Sequence, residues 1–463
     1  MYAMKVNRFL MAAAVAGVLL VGCKGHGSSS SSIPASLTNW TWEADTNVAN
    51  SPGSFSAIGT VSTTNQPSGR SNAMSWKDNQ NQFWVFSGGG GFSDMWVFNT
   101  ANLGWTWEAG TNTSPSNAGV YGTMGTAAAS NVPGARSSGA TWVDTAGNFW
   151  MLGGFGTDSN GQIGYLNDFW TFNPNTKIWT WVGGSNVGGS AATYSFGTMQ
   201  VASSSNMPNP RSSAMYWTDL SGNFWMFGGQ GYLAKTAATQ NDLWEYSTST
   251  HQWTWVGGSN TPNAKGIYTG TAQQPGARQQ ATTWTDKSGN FWMFGGTGID
   301  SAGGNGQLND LWKFNPSTQT WTFVTGSITV NAIGNYGTNG VAAATNQPGA
   351  RSSSIGWTDV SGNQWLFGGS GINISGVLAN MNDLWEFNVT SNQWIWINGS
   401  YNGNATGFYG TLSILSSSNM PGSRYGASGW TDTSTNFWMF GGTGYDAAGS
   451  NGQLADMWKF LPT

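Results

Sequence analysis

All 29 tryptophans of this 463-residue chain fall into five columns of a sequence repeat. Four columns carry a tryptophan in each of six copies, and the fifth has five tryptophans and one phenylalanine, Phe323. The last two columns lie two residues apart: Trp40 and Trp42, Trp105 and Trp107, Trp179 and Trp181, Trp253 and Trp255, Trp321 and Phe323, Trp394 and Trp396. A residue type that occurs only at repeat positions stabilises the repeated unit, so the fold consists of six copies of one unit. Function must then depend on what the units do not share.

The fourth copy shows the unit most clearly. It has four extended segments, Arg278–Asp286, Phe291–Phe294, Asn309–Phe314 and Thr320–Val324, which we name strands a, b, c and d. Aromatic and β-branched residues in short runs between Gly, Asn, Ser and Pro turns indicate strands and hairpins. The 68 glycines also argue against a helical protein. We therefore predict an all-β chain.

The unit resembles the kelch repeat. The matching features are an apolar strand that ends in Gly-Gly, as at Gly295-Gly296, an Asp-apolar-Trp strand, and a tryptophan about nine residues later. The first copy departs with Ser87-Gly88, and the last has Ala455-Asp456 where others have Asn-Asp or Ser-Asp. The resemblance covers about residues 38–463 and implies four-stranded blades of a β-propeller.

The two ends of the chain complement each other. The chain ends in a strand c, Asp456–Phe460, and begins with an unpaired strand d, Trp40–Trp42. We therefore predict a six-bladed kelch-type β-propeller with four antiparallel strands per blade. In this fold the N-terminal strand completes the last blade and covers its open edge. The connections b–c and d–a then lie on one face, which we call the long-loop face because these connections are long in nearly every copy.

The N-terminal residues resemble a bacterial lipoprotein signal. Phe9–Val21 is apolar but too short to span a bilayer comfortably, and it runs into Leu20-Val21-Gly22-Cys23. We predict a signal peptide over residues 1–22, a lipid on Cys23, and a Ser/Gly-rich tether over residues 23–37. The alternative is an ordinary signal peptide with an incidental cysteine. The resemblance, with Lys24 rather than Asp after the cysteine, implies export to the cell envelope and usually to the outer membrane.

Composition excludes several classes of function. Only 8% of residues are charged, the net charge is −4, and no basic cluster occurs, so we do not expect nucleic acid as a partner. Of the two histidines, His26 lies in the predicted tether and His251 in a c–d turn on the face opposite the long-loop face, which argues against a zinc cluster and against a Ser-His-Asp site. We predict no cofactor, no metal and no catalytic residue, and a monomeric propeller that touches the membrane only through its lipid.

Six of the seven arginines occupy one repeat position, at the start of strand a on the long-loop face. Their guanidinium groups could ring the channel mouth and bind carboxylate, sulfate or phosphate. The alternative is a structural role, in which each arginine pairs with an aspartate that opens strand c. As candidate ligand-binding residues we name Arg70, Arg136, Arg211, Arg278, Arg351 and Arg424.

Other candidates are weaker. Asp158, Asp300 and Asp446 recur in b–c connections, where they could ligate calcium but are more typical of capped turns. Unshared aromatic residues of the connections could stack on sugars: Phe155, Tyr232, Tyr401 and Tyr445. We predict a non-catalytic, cell-surface binding module for a protein, a glycan or an acidic ligand. The alternatives are a carbohydrate-active enzyme resembling sialic-acid mutarotases, which are also kelch propellers, and a structural subunit of an envelope assembly.

Overall fold

A computed structural model describes residues 40–89, 91–111, 117–233 and 236–462. Cys23, the predicted signal peptide (1–22) and the predicted tether (23–37) lie outside the described residues and stay predictions. The described strands form six antiparallel sheets, the blades of a six-bladed β-propeller, which confirms the predicted fold class.

The strands follow the order of the repeat. The first is β1 (Trp40–Ala44). Blade 1 contains β2 (Met74–Lys77), β3 (Phe83–Phe86), β4 (Met95–Asn99) and β5 (Gly104–Ala109). Blade 2 contains β6 (Arg136–Ser137), β7 (Ala140–Val143), β8 (Phe149–Thr157) and β9 (Ile163–Asn173), then β10 (Ile178–Gly183). A 3-10 turn (Gly189–Ala191) follows. Blade 3 contains β11 (Arg211–Ser212), β12 (Met215–Thr218), β13 (Phe224–Leu233), β14 (Thr236–Ser247) and β15 (Gln252–Gly257).

The second half repeats this pattern. Blade 4 contains β16 (Arg278–Gln279), β17 (Thr282–Thr285), β18 (Phe291–Ile299), β19 (Asn305–Asn315) and β20 (Thr320–Thr325). Blade 5 contains β21 (Arg351–Ser352), β22 (Ile355–Thr358), β23 (Gln364–Ile372), β24 (Leu378–Asn388) and β25 (Gln393–Asn398). Blade 6 contains β26 (Arg424–Tyr425), β27 (Ser428–Thr431), β28 (Phe437–Tyr445) and β29 (Asn451–Phe460).

The N-terminal strand closes the propeller. β1 pairs antiparallel with β29, with Trp40 opposite Phe460 and Thr41 opposite Lys459. Trp40 is fully buried, and its ring lies 5.0 Å from that of Phe460 and 5.1 Å from that of Phe367 in blade 5. The predicted closure is therefore confirmed.

A ring of backbone hydrogen bonds joins all six blades at the centre. Each inner strand passes through one residue at positive φ, between 52° and 66°, and the N–H of that residue donates to the carbonyl of its counterpart in the preceding blade at 2.6–3.0 Å. We call these residues the central ring: Asn72, Ser138, Ser213, Gln280, Ser353 and Gly426. Because each blade bonds to the next, the ring closes on itself without a seam.

The hydrophobic core lies between blades rather than within them. Each of the six clusters of buried residues draws on two adjacent sheets. In five interfaces a strand-a tryptophan stacks on a strand-b phenylalanine of the next blade, as Trp357 does on Phe437 at 5.3 Å. The sixth interface has Gln364 in place of the phenylalanine. Gln364 is fully buried, and both amide atoms lack a hydrogen-bond partner within the described structure.

The Gly-Gly pairs allow the close approach of three strands. Gly153 has φ 62°, and a Cβ on it would stand 2.6 Å from the carbonyl oxygen of Leu166 and 2.8 Å from that of Arg211. Only glycine fits such a position without displacing backbone. The adjacent register shift between Leu152 and Gly154 is a β-bulge that redirects strand b toward the long-loop face.

The b–c connections differ from the expected loops. In blades 2 to 6 the two strands continue past the bulge as a β-hairpin, for example β8 and β9 around the turn at Asn160. In blade 1, β3 ends at Phe86 and no such hairpin is present among the described residues. The long-loop face therefore carries five rigid hairpins, which hold side chains more firmly than loops would.

Candidate binding surface

The six repeat arginines are buried and ion-paired. Their exposed fractions are 0–2%, and each guanidinium makes a bidentate contact with the strand-c aspartate of its own blade at 2.6–2.9 Å. The pairs are Arg70–Asp94, Arg136–Asp168, Arg211–Asp242, Arg278–Asp310, Arg351–Asp383 and Arg424–Asp456.

Further hydrogen bonds complete each pair, as blade 5 shows. Arg351 also donates to the carbonyls of Gly349 at 2.9 Å and Gly368 at 3.0 Å. Asp383 accepts from the Trp385 indole at 2.8 Å and the Tyr336 hydroxyl at 2.6 Å. Burial alone would lower the pKa of Arg351, but Asp383 raises that pKa above its usual value. Burial and Asp383 also raise the pKa of Tyr336, so its hydroxyl stays protonated and donates.

These contacts show the structural role that the sequence left open for the arginines. Each guanidinium locks strands a, b and c of one blade together by binding the strand-c aspartate and the first carbonyl of the Gly-Gly pair, or of Ser87-Gly88 in blade 1. Ligand binding by these arginines stays a prediction, because a ligand would have to compete with a fully formed buried ion pair.

The remaining repeat and hairpin acids cap turns. Asp144 accepts the backbone N–H groups of Ala146 and Asn148 through one oxygen and the Trp150 indole through the other. Asp158 accepts from Asn160 and Gln162 at 2.8 and 2.9 Å and from Gly188 at 3.0 Å. Asp300 and Asp446 make the equivalent bonds. These carboxylates therefore serve as turn caps, as the turn interpretation expected.

The channel at the centre contains an uncharged cavity. Its volume is about 240 Å³, and its walls are the central ring together with neighbouring residues such as Ser75, Thr283 and Ser428. Hydroxyl and amide groups dominate this lining, and every residue that contributes to it is uncharged.

An aromatic cluster lies beside this cavity on the hairpins of blades 2 and 3. We call Phe155, Tyr165 and Tyr232 the hairpin aromatic cluster. The Phe155 and Tyr165 rings meet edge to face at 5.2 Å, and the Tyr165 and Tyr232 rings do so at 5.7 Å. Phe155 is 43% exposed and pairs with Ser137, the neighbour of Ser138 in the central ring. The cluster thus adjoins the channel mouth.

A second cavity of about 800 Å³ lies between blades 2 and 3. Its lining includes Tyr194, Tyr246, His251, Trp253 and a run of hydroxyl residues, Ser203–Ser205. His251 lies in the turn between β14 and β15, at the end of the blade opposite the hairpins, and this cavity shares no lining residue with the channel cavity. The segment from Gly189 to Tyr194 runs between the Tyr232 ring and this cavity, since a Cβ on Gly189 would stand 3.6 Å from that ring while Tyr194 lines the cavity.

The other exposed aromatic candidates lie elsewhere. Tyr401 is 40% exposed in blade 5, where it packs on Tyr336 and Trp396 at 5.7 and 5.8 Å. Tyr445 lies at the end of β28 in blade 6. The structure thus brings together only Phe155 and Tyr232 of the four aromatics predicted from sequence, and it adds Tyr165. Tyr165 and Phe155 lie at equal distances in sequence on either side of the turn around Asn160. Their pairing can be predicted from the sequence once this segment is recognised as a hairpin.

No group of three His, Cys, Asp or Glu side chains is close enough to hold a metal ion in the described parts of the chain. No helix among the same residues is long and apolar enough to cross a membrane.

Fold and surface together define a six-bladed β-propeller with an aromatic cluster on the hairpins of blades 2 and 3. Comparison with known proteins gave no match, either to a protein-family profile or to a curated protein.

Proposed function

We propose that the protein is a non-catalytic binding module whose ligand is a neutral glycan held on blades 2 and 3. One observation carries this proposal: the hairpin aromatic cluster lies on two adjacent hairpins of the long-loop face, with Phe155 exposed beside the uncharged lining of the channel. Phe155 and Tyr165 occupy positions at which no other copy of the repeat has an aromatic residue.

Neutral sugars suit this chemistry. Their C–H faces pack on aromatic rings, and their hydroxyls exchange hydrogen bonds with serine, asparagine and tyrosine. Burial raises the pKa of Tyr165, with Tyr232 adding to the effect, so this hydroxyl remains a neutral donor. An acidic ligand would require a free cation, whereas the six repeat arginines are neutralised by their aspartates.

A glycan array followed by calorimetry tests the proposal. We expect the purified protein to bind neutral oligosaccharides, and we expect Tyr232→Ala and Phe155→Ala each to weaken binding about tenfold or more, the loss typical of a central aromatic contact. Tyr401→Ala is a matched control, because Tyr401 is similarly exposed but lies on blade 5. The glycan should be recovered unchanged.

Three results would overturn the proposal. The first is binding confined to acidic glycans. The second is equal binding by Tyr232→Ala and wild type. The third is capture of a protein ligand by the same surface with no response to any glycan, which would assign the surface to protein recognition.

We further propose that the propeller belongs to the kelch type and is displayed on the bacterial envelope by a lipid on Cys23. The Gly-Gly geometry and the Asp-apolar-Trp strand support the first part, and the sequence around Cys23 supports the second. Metabolic labelling with a radioactive fatty acid should mark the wild-type protein and not Cys23→Ser. Equal labelling of both, or of neither, would contradict the anchor.

A further inference from the structure

The outer strand of a blade is covered by the connection that leads into that blade. In blade 5, Gly340 donates its N–H to the Trp396 carbonyl at 2.8 Å, and the Asn346 side chain donates to the Trp394 carbonyl at 3.0 Å. The same two bonds recur in blades 1, 2, 3 and 6 at 2.7–3.2 Å. Five outer strands are thus sealed against pairing with another chain.

Blade 4 is different because its connection is five residues shorter. The interval from the packed aromatic to the arginine is 15 residues in blade 2, Tyr121 to Arg136, and only 10 in blade 4, Tyr268 to Arg278. The missing residues are those that cover the outer strand elsewhere. Residues 258–277 donate no hydrogen bond to the carbonyls of Trp321 or Phe323.

The outer strand of blade 4 is exposed as a consequence. None of the six residues of β20 is fully buried, and Thr320 and Thr322 are exposed. Trp321 is only partly buried, whereas its five counterparts are 0–3% exposed. Within the described residues, two contacts of the shortened connection reach this edge: the Gln273 side chain accepts the Phe323 N–H at 2.8 Å, and the Tyr268 ring packs on the Phe323 ring at 5.1 Å.

The five covered strands show what an open edge of this shape accepts. Each is covered by an uncharged segment of mostly small residues that begins in one turn and ends, after a second turn, in asparagine. The segments are Gly59–Asn65, Gly125–Asn131, Gln200–Asn206, Gly340–Asn346 and Ser413–Asn419. The blade 4 edge, Thr318–Thr325, is also uncharged, so it offers no electrostatic preference for a charged partner.

We propose that β20 is a docking edge for an uncharged segment of a partner protein, with small side chains and a terminal asparagine. The segment lies along β20 as its counterparts lie along the other outer strands: its backbone N–H donates to the Phe323 carbonyl, and its asparagine amide donates to the Trp321 carbonyl. Another chain thus supplies the missing part of the repeat at an open sheet edge. The site is separate from the glycan surface on blades 2 and 3.

A peptide with the sequence of Gly125–Asn131, acetylated at its N-terminus, is the direct probe. Added to the full-length protein, it should slow hydrogen exchange at the Trp321 amide at least several-fold and change tryptophan fluorescence saturably. A control peptide with proline for the glycine and alanine for the asparagine lacks both donors and should do neither. Gln273→Ala removes the side chain that lies on this edge and should tighten peptide binding several-fold.

A variant with a lengthened blade 4 connection, which we call the filled variant, provides the second control. Replacing residues 269–274 by residues 337–347 of the blade 5 connection restores the 15-residue interval, and it should cover β20 within the chain, protect Trp321 and abolish the peptide effect. Equal binding of the two peptides, or no response of wild type and Gln273→Ala, would overturn the proposal. So would a dimer in sedimentation that disappears on filling, because the edge would then accept a second copy of this chain.

Discussion

The Asp383→Asn substitution tests whether the buried ion pairs hold the blades together. The change preserves the shape of the side chain but leaves the Arg351 guanidinium, 1% exposed, without a counter-charge. The new amide also points its N–H₂ group at other hydrogen-bond donors, because Asp383 accepts from an arginine, a tyrosine and a tryptophan. Breaking one partner of a buried pair costs about 3–5 kcal/mol.

The expected change in melting temperature follows from the size of the protein. An unfolding entropy of about 2.1 cal/mol/K per residue amounts to about 0.9 kcal/mol per degree for a propeller of this length. Differential scanning calorimetry at a fixed scan rate should therefore show Asp383→Asn melting about 3–6 °C below wild type. Asp286→Asn is the control for the amide itself, because it also turns an N–H₂ group toward donors, Asn290 and Trp292, but leaves no buried arginine without a counter-charge, so it should melt closer to wild type than Asp383→Asn.

The refuting result is equally specific. If Asp383→Asn melts within about 1 °C of wild type and of the control, the carboxylate does not compensate a buried charge.

Three further predictions concern stability. Deleting residues 38–43 removes most of β1 and the buried Trp40, so the whole domain should melt at lower temperature; an unchanged melting curve would refute closure by β1. Gln364→Phe should stabilise the protein by about 1–3 kcal/mol in denaturant titrations, since it replaces an unpartnered buried amide by the ring found in the other five interfaces; a loss of stability would contradict this. Burial raises the pKa of Glu386 to about 7, with Asp359 adding to the shift and Asn363 opposing it. The free energy of unfolding should fall by on the order of 3 kcal/mol as pH rises from about 4.5 to about 7, and Glu386→Gln should remove this pH dependence. Parallel pH profiles of wild type and Glu386→Gln would contradict the raised pKa.

The number of blades and their closure could be predicted from sequence because both are properties of the repeat. Tryptophan spacing gives the number of units, and the unpaired segment at Trp40 complements the unpaired strand at Trp458. The pairing of these two segments can be predicted from the sequence alone, because the only rule needed is that proteins cover exposed sheet edges.

The sites could be predicted only in part, because they depend on contacts between units. The sequence placed Arg351 and Asp383 on one face, but their bidentate contact follows from the register of three strands. Tyr165 was missed because its segment was interpreted as a loop, whereas the hairpin register sets it opposite Phe155. The exposed edge at Trp321 follows from a short connection whose role is visible only where it packs on the next outer strand.

Hydrogen exchange measured at all six outer strands tests the account most directly. The amides of β1 should be as slow to exchange as those of β5, β10, β15 and β25, because β29 and the preceding connection seal β1 into blade 6. The Trp321 amide of β20 should exchange fastest. Fast exchange throughout β1 would contradict the closed ring, and protection of Trp321 equal to that of its counterparts would contradict the open edge.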